Sequence, residues 1–338
     1  MEKIKAAGKG GEKYIPFNER TGNISDVFFT SDLSAEGLRR IFAKVNKTLT
    51  GKVAVKIHTG EQHGPNIIPS EWVKELMTND IKNGVLIETN TYYEGDRYET
   101  DQHRETLKVN GWTFCPVDII DEDGTCMLPV KDGKWFTEMS VGKNLVNYDS
   151  FLALTHFKGH TMGGFGGSNK NIGIGCADGR IGKGMIHTEE GSDNLWGINK
   201  EELMERICES TKSVADHFKG HIVYINVLRN MSVSCDCEGL AAAPVVTPNI
   251  GIVASTDLLA VDQASVDLVY ALKPEDKHDL VERMETRHGH RQLSYMKELG
   301  MGNDKYRLLD IDHDDKEIST SEAVKDVVPF KARFLQMY

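Results

Sequence analysis

FLALTHFKGHTMGGFGGSNKNIGIGCADGRIGKGMIH, residues 151–187, carries two signals within one short span. It opens on four apolar residues, Phe151, Leu152, Ala153 and Leu154, with the length and character of a buried strand. It then changes to His156, Lys158 and His160 on alternate positions, followed by Gly163, Gly164, Gly166 and Gly167. Lys170, Asn171, Cys176, Lys183 and His187 complete it. Open α/β sheets gather functional groups beyond the carboxyl ends of their strands. A site is therefore expected at this junction.

Outward from it, strand and helix signatures alternate. KVAVKI (52–57), VLIET (85–89), TFCPVDII (113–120), HIVYINVL (221–228), NIGIVAS (249–255) and YRLLDID (306–312) read as strands, the last of them closing the chain's sheet. Leu38, Ile41, Phe42 and Val45 share one face of a helix over 34–49. Pro69 starts another, and Asn199 with Glu202 opens a third through about residue 218. The alternation predicts an α/β fold with a mainly parallel sheet and helices on both faces. It spans 26–338 as one compact unit or two joined lobes, with a small β excursion near 121–142 after an irregular arm over 1–25.

Composition narrows the function classes. Of 338 residues 39% are hydrophobic and 27% charged, an ordinary globular balance. A net charge of −11 argues against a nucleic-acid partner, while a local basic pocket for a small anion remains compatible with it. No run is long and apolar enough for a membrane helix, and the N-terminus lacks a secretory core, so a cytoplasmic location is expected. The six cysteines, with no CxxC, are too sparse for a disulfide scaffold and read as thiols or metal ligands.

Each motif has a functional and a plain reading. On an extended segment His156, Lys158 and His160 share one face and suit acid–base work, metal ligation or substrate binding; otherwise they close a turn. Gly164, Gly166 and Gly167 leave N–H groups that cradle a carboxylate or phosphate, or they simply make a tight turn. Lys170 is a candidate nucleophile, cofactor tether or anion anchor, with Asn171 beside it. Cys235 and Cys237 project to one side of an extended CxC and, with Cys176 and one histidine, make a four-ligand set for zinc or a small Fe–S cluster. The alternative is two buried thiols. The loops carrying His58 and Asn90–Arg97, with His103, face the glycine turn across a cleft, where Lys56 and Arg97 are carboxylate anchors or structural ion pairs.

HFKGHTMGGFGGSNKNIGIGCADGRIGKGMIH, together with VAVKIHTGE, ETNTYYEGDR, NVLRNMSVSCDC and IVASTDLLAVDQASVDLV, resembles the uncharacterised Fe–S-centre proteins, domain of unknown function 362. The resemblance implies a form lacking the ferredoxin module that many relatives insert after the segment matching His187. More distantly, HTMGGFGGSNK is similar to a pattern of the lactate racemases that use a nickel-pincer nucleotide. That likeness implies Lys170 as cofactor tether, His160 as an acid/base residue and His187 near the nickel-ligating histidine; His103 is our own candidate for the second acid/base residue.

These readings predict a metal- or Fe–S-dependent enzyme of an anaerobic cytoplasm, an oxidoreductase or isomerase acting on a small anionic substrate. Iron, nickel or zinc on Cys176, Cys235, Cys237 and His187 would serve it, with a redox partner and self-association both compatible. A non-catalytic metal-delivery protein and a nickel-pincer isomerase of 2-hydroxy acids are the other expectations.

Overall fold

The structure, a computed structural model, describes residues 11–189, 192, 194 and 197–330. Along the chain come β1 (Ile24–Thr30), α1 (Ala35–Val45), β2 (Val53–Lys56), α2 (Ser70–Asn79), β3 (Gly84–Glu88), α3 (Thr100–Val109) and β4 (Val117–Ile119). The hairpin β5 (Thr125–Pro129) and β6 (Glu138–Gly142) follows, then β7 (Ser150–His156), β8 (Lys158–His160) and β9 (Gly164–Gly166). Next are α4 (Ser168–Gly175), α5 (Gly182–His187), α6 (Lys200–His217), β10 (Ile222–Leu228), β11 (Gly251–Ser255) and α7 (Leu258–Ala271). The chain continues through α8 (Pro274–Thr286), α9 (His290–Glu298), β12 (Lys305–Asp310), β13 (Lys316–Ile318) and α10 (Thr320–Ala323).

Nine strands form one sheet in the order β13-β12-β1-β11-β10-β7-β2-β3-β4, and two small hairpins stand apart from it. The pairs β10–β7, β7–β2, β2–β3, β3–β4 and β1–β12 are parallel, whereas β11 runs against both neighbours and β13 against β12. This is the expected α/β class, with a mixed rather than purely parallel sheet.

The central strand shows why the sheet is buried on both sides. Phe151 and Ala153 of β7 enter one core with Tyr224 and Val253, while Leu152 and Leu154 enter the other with Val223 and Ile225. Helices α1 to α3 cover the second face, and α4 to α9 the first. Each large apolar side chain removed from water contributes about 1.5–3 kcal/mol, so a strand apolar at every position holds the middle of the sheet.

Some boundaries differ from the sequence reading. The strand expected over 113–120 is confined to Val117–Ile119, because Pro116 has no N–H to give. YRLLDID is followed by a further strand, β13. Residues 1–10 of the expected arm lie outside the described residues; within the rest, Arg20 is buried and paired with Asp267 at 2.6 Å, and β1 begins at Ile24. No helix among the described residues is long and apolar enough to cross a membrane.

The chain reverses its direction of travel across the sheet between β2 and β7. From β2 it steps outward to β3 and β4, and from β7 it steps the other way to β10. Such a switch point opens a crevice at the carboxyl ends of the strands.

Candidate functional site in the crevice between β2 and β7

A cavity of about 350 Å³ occupies this crevice. Lys56 ends β2, Glu88 ends β3, and Thr155 lies at the end of β7, so the sheet supplies its floor. The β8–β9 hairpin brings Lys158, His160 and Gly166; α4 brings Lys170, Asn171 and Ile174; α5 brings Lys183 and His187. The loop after β10 closes the cavity with Cys235 and Cys237.

One wall is a closed ionic network. The Lys56 ammonium donates to Glu88 at 2.8 Å, to the Ile57 carbonyl at 2.9 Å and to Asn171 Oδ1 at 3.3 Å. Arg97 gives Nε and Nη2 to Glu61 at 2.9 and 2.8 Å and Nη1 to Glu88 at 3.4 Å. Burial drives the Glu88 carboxyl up, but Lys56 and Arg97 outweigh it and hold it well below the usual range. Lys183 donates to Thr89 Oγ1, Asn90 O and Ala177 O at 2.5, 2.6 and 2.9 Å, and burial lowers it to about 8.

The opposite wall is built around sulfur. Cys235 Sγ accepts from the Cys237 N–H at 3.4 Å and lies 4.0 Å from His58 Nε2. His58 Nδ1 accepts the Gly60 N–H at 3.0 Å, and His160 Nδ1 accepts those of Met162 and Gly163 at 3.1 and 2.9 Å. Both neutral rings thus keep their hydrogen on Nε2, turned toward the Cys235 sulfur. The hydrogen bond from the Cys237 thiol, with the hydrogen bond of His160, draws Cys235 well below its ordinary value. The same bond raises Cys237.

Cys235, Cys237 and His160 bring one ligand atom each within 4.8 Å of one another. Two thiolates would suit a soft ion, and His160 would join them with its hydrogen moved to Nδ1, the atom that now accepts the Met162 and Gly163 N–H groups. His187 has the ring orientation common among metal-binding histidines, with Nδ1 on the Lys183 carbonyl at 2.8 Å. Burial lowers His187 to about 3, which keeps it neutral. A cluster held by four cysteines does not fit, because only two of the six line the cavity. Cys176 is fully buried outside the lining, its thiol pushed up to about 12 by burial.

Of the residues singled out from the sequence, Lys56, His58, Arg97, Lys158, His160, Gly166, Gly167, Lys170, Asn171, His187, Cys235 and Cys237 line this one cavity. His156, His103, Cys176 and Gly164 do not. His156 therefore does not join Lys158 and His160 on the cavity face. The His156 ring turns to the Asp236 carboxylate, at 2.8 and 3.0 Å, and to the Arg229 carbonyl at 2.6 Å, so both its nitrogens face acceptors. His103 sits behind the cavity with Nδ1 3.2 Å from Asn90 Oδ1, and burial lowers it to about 3. Gly164 adopts φ +76° and packs on Gly289, where a Cβ would come within 2.8 Å of backbone.

The expected anion cradle at the glycine turn is already filled from inside the protein. The Asp262 carboxylate accepts the Ser168 and Asn169 N–H groups at 2.7 and 2.9 Å, capping the start of α4. A Cβ on Gly167 would lie 2.5 Å from that carboxylate, so the glycine is what admits it. Asp262 interrupts an apolar helix, and a buried carboxylate needs donors; that was the available signal. Asp236, which pairs with His156 and with Lys158 at 2.9 Å, was hidden as the middle residue of the CxC. Glu88 and Glu61 were missed because their partners come from distant segments.

A family model described as Domain of unknown function (DUF362) matches residues 53–267, more than half of the chain. The chain is similar to the lactate racemase apoprotein of Thermoanaerobacterium thermosaccharolyticum at 13% identity, over 93% of this chain and 88% of that one, with a TM-score of 0.36. It is also similar to a protein of Thermotoga maritima at 14% identity, over 57% of this chain and 49% of that one, with a TM-score of 0.36. Likeness at this level carries no argument for chemistry. No curated protein matches the sequence.

Proposed function

We propose that this chain, which belongs to the family Domain of unknown function (DUF362), is a metal-dependent enzyme acting on a small organic anion in the crevice between β2 and β7. The observation that carries this reading is the convergence of Cys235, Cys237 and His160 within 4.8 Å on the wall of a ligand-sized cavity. Cys235 and Cys237, with an imidazole, would hold a soft metal ion, which when bound supplies a Lewis acid facing the cavity.

The remaining roles belong to the chain's own groups. Lys170 and Lys158 place positive charge beside the sulfurs, where a substrate anion would lie. His187, kept neutral by burial, offers an imidazole for proton transfer on the same cavity. The hydrogen bond from Cys237 draws the Cys235 thiol below its ordinary value, which favours ligation. Asp236 fixes the loop, gripping Lys158 and His156 from between the two cysteines. A delivery protein would need the thiols but neither an enclosed cavity nor a lysine held beside them.

Elemental analysis of protein purified without oxygen tests the reading. About one soft metal ion per chain is expected in the native chain and in Cys176→Ser, with none in Cys235→Ser or Cys237→Ser. Metal-free native protein, or metal that depends on Cys176, would overturn it.

A further inference from the structure

Five cationic side chains line the cavity, and they differ in what their hydrogens already do. An ammonium has three donors. Those of Lys56 are spent on Glu88, Ile57 O and Asn171, and those of Lys183 on Thr89, Asn90 O and Ala177 O. Arg97 is committed to Glu61, Glu88 and Tyr93. Lys158 makes one contact, with Asp236 at 2.9 Å, and keeps two donors. Lys170 has no hydrogen-bond or ion-pair partner among the described residues, although it is largely enclosed by the cavity.

These two lysines are neighbours. A Cβ placed on Gly166 would lie 3.6 Å from Lys158 Cε and 3.9 Å from Lys170 Cδ, so both stems run along that one glycine. A Cβ on Gly163 would lie 3.4 Å from Lys170 Cε and 3.5 Å from His160 Nδ1, which sets the Lys170 side chain beside the His160 ring.

We propose that Lys170 and Lys158 form an oxyanion subsite that takes the carboxylate of a small organic monocarboxylic acid. Charge decides the class. Within this pair Asp236 neutralises Lys158, which leaves the charge of Lys170 to match one carboxylate. A phosphate bearing nearly two charges would exceed that one cation. Met162, Ile174 and Tyr92 supply the surface for the rest of the molecule. The subsite deepens the proposed function but stands without the metal, since neither lysine is a ligand in it.

Calorimetric titration of the full chain with butyrate and, separately, inorganic phosphate tests the subsite, before and after dialysis against a chelator. Butyrate is expected to bind in both forms and more tightly than phosphate. Lys170→Met should weaken butyrate binding at least about tenfold, the loss of one charge-assisted contact, while Lys170→Arg retains most of it and both keep their metal content. Circular dichroism confirms that the variants fold. Equal butyrate affinity in Lys170→Met, tighter phosphate binding, or butyrate binding that vanishes with the metal would overturn the subsite. Butyrate binding to a chain that never holds metal would remove the metal reading and leave the subsite standing.

Discussion

The two walls of the crevice carry the same kinds of charge and treat them in opposite ways. On the β2–β3 side, Lys56, Glu88, Arg97 and Glu61 satisfy one another at 2.8 to 3.4 Å. On the β8–α4 side, Lys170 is left without such a partner among the described residues, beside a cysteine sulfur that accepts the Cys237 N–H. The difference teaches which charges are scaffold. A buried ion whose hydrogens are all spent fixes geometry, whereas one kept with donors to spare is held for something that arrives later.

Breaking the closed wall should cost most. Glu88→Gln leaves Lys56 and Arg97 facing a neutral amide, and a loss of about 3–5 kcal/mol is expected in urea unfolding. Asp236→Asn weakens the charged contacts to Lys158 and His156; it should cost about 1.5–3 kcal/mol and lower metal affinity roughly tenfold by loosening the CxC loop. Equal stability of either variant with the native chain would erase the distinction between the walls.

Acid sharpens the comparison. Burial lowers His103 from 6.5 to about 3, so between those values the unfolded chain takes up a proton that the native chain refuses. Stability is therefore complete above pH 6.5 and falls as pH drops toward about 3. His103→Gln should flatten this limb in unfolding measured across pH. Asp262 acts with the opposite sign, because burial raises it from 3.8 to about 6 and the native chain then binds the proton first. Its contribution grows as pH falls through that window, and Asp262→Asn should make the acid loss steeper.

The open wall should respond least. Lys170→Met replaces an unpartnered half-buried cation by an apolar chain of similar length, and stability is expected to change by less than about 1 kcal/mol. A large loss there would mean that Lys170 belongs to the scaffold.

Much of this was legible in the chain. The apolar run at 151–154 marked the central strand, and the strand ends at Lys56 and Thr155 do meet at one crevice. The CxC, His160 and Lys170 were visible as reactive types in a glycine-rich setting, and they share a cavity. What misled was local periodicity. His156 lies two residues from Lys158, but β7 ends there, and its ring turns away to Asp236. The glycines looked like an anion cradle, and only the arrival of Asp262 from α7 shows that the N–H groups are taken.

The sequence by itself determined the class of fold and the neighbourhood of the site, because both rest on hydrophobic periodicity and on residue chemistry within short segments. The tertiary structure decided which candidates act together. Whether Arg97 is an anchor or a girder depends on Glu61, 36 positions away in the chain and adjacent in space, and whether Lys170 has a partner depends likewise on which distant segments reach it. Hydrogen-bond saturation is a property of those distant encounters, and no local pattern records it.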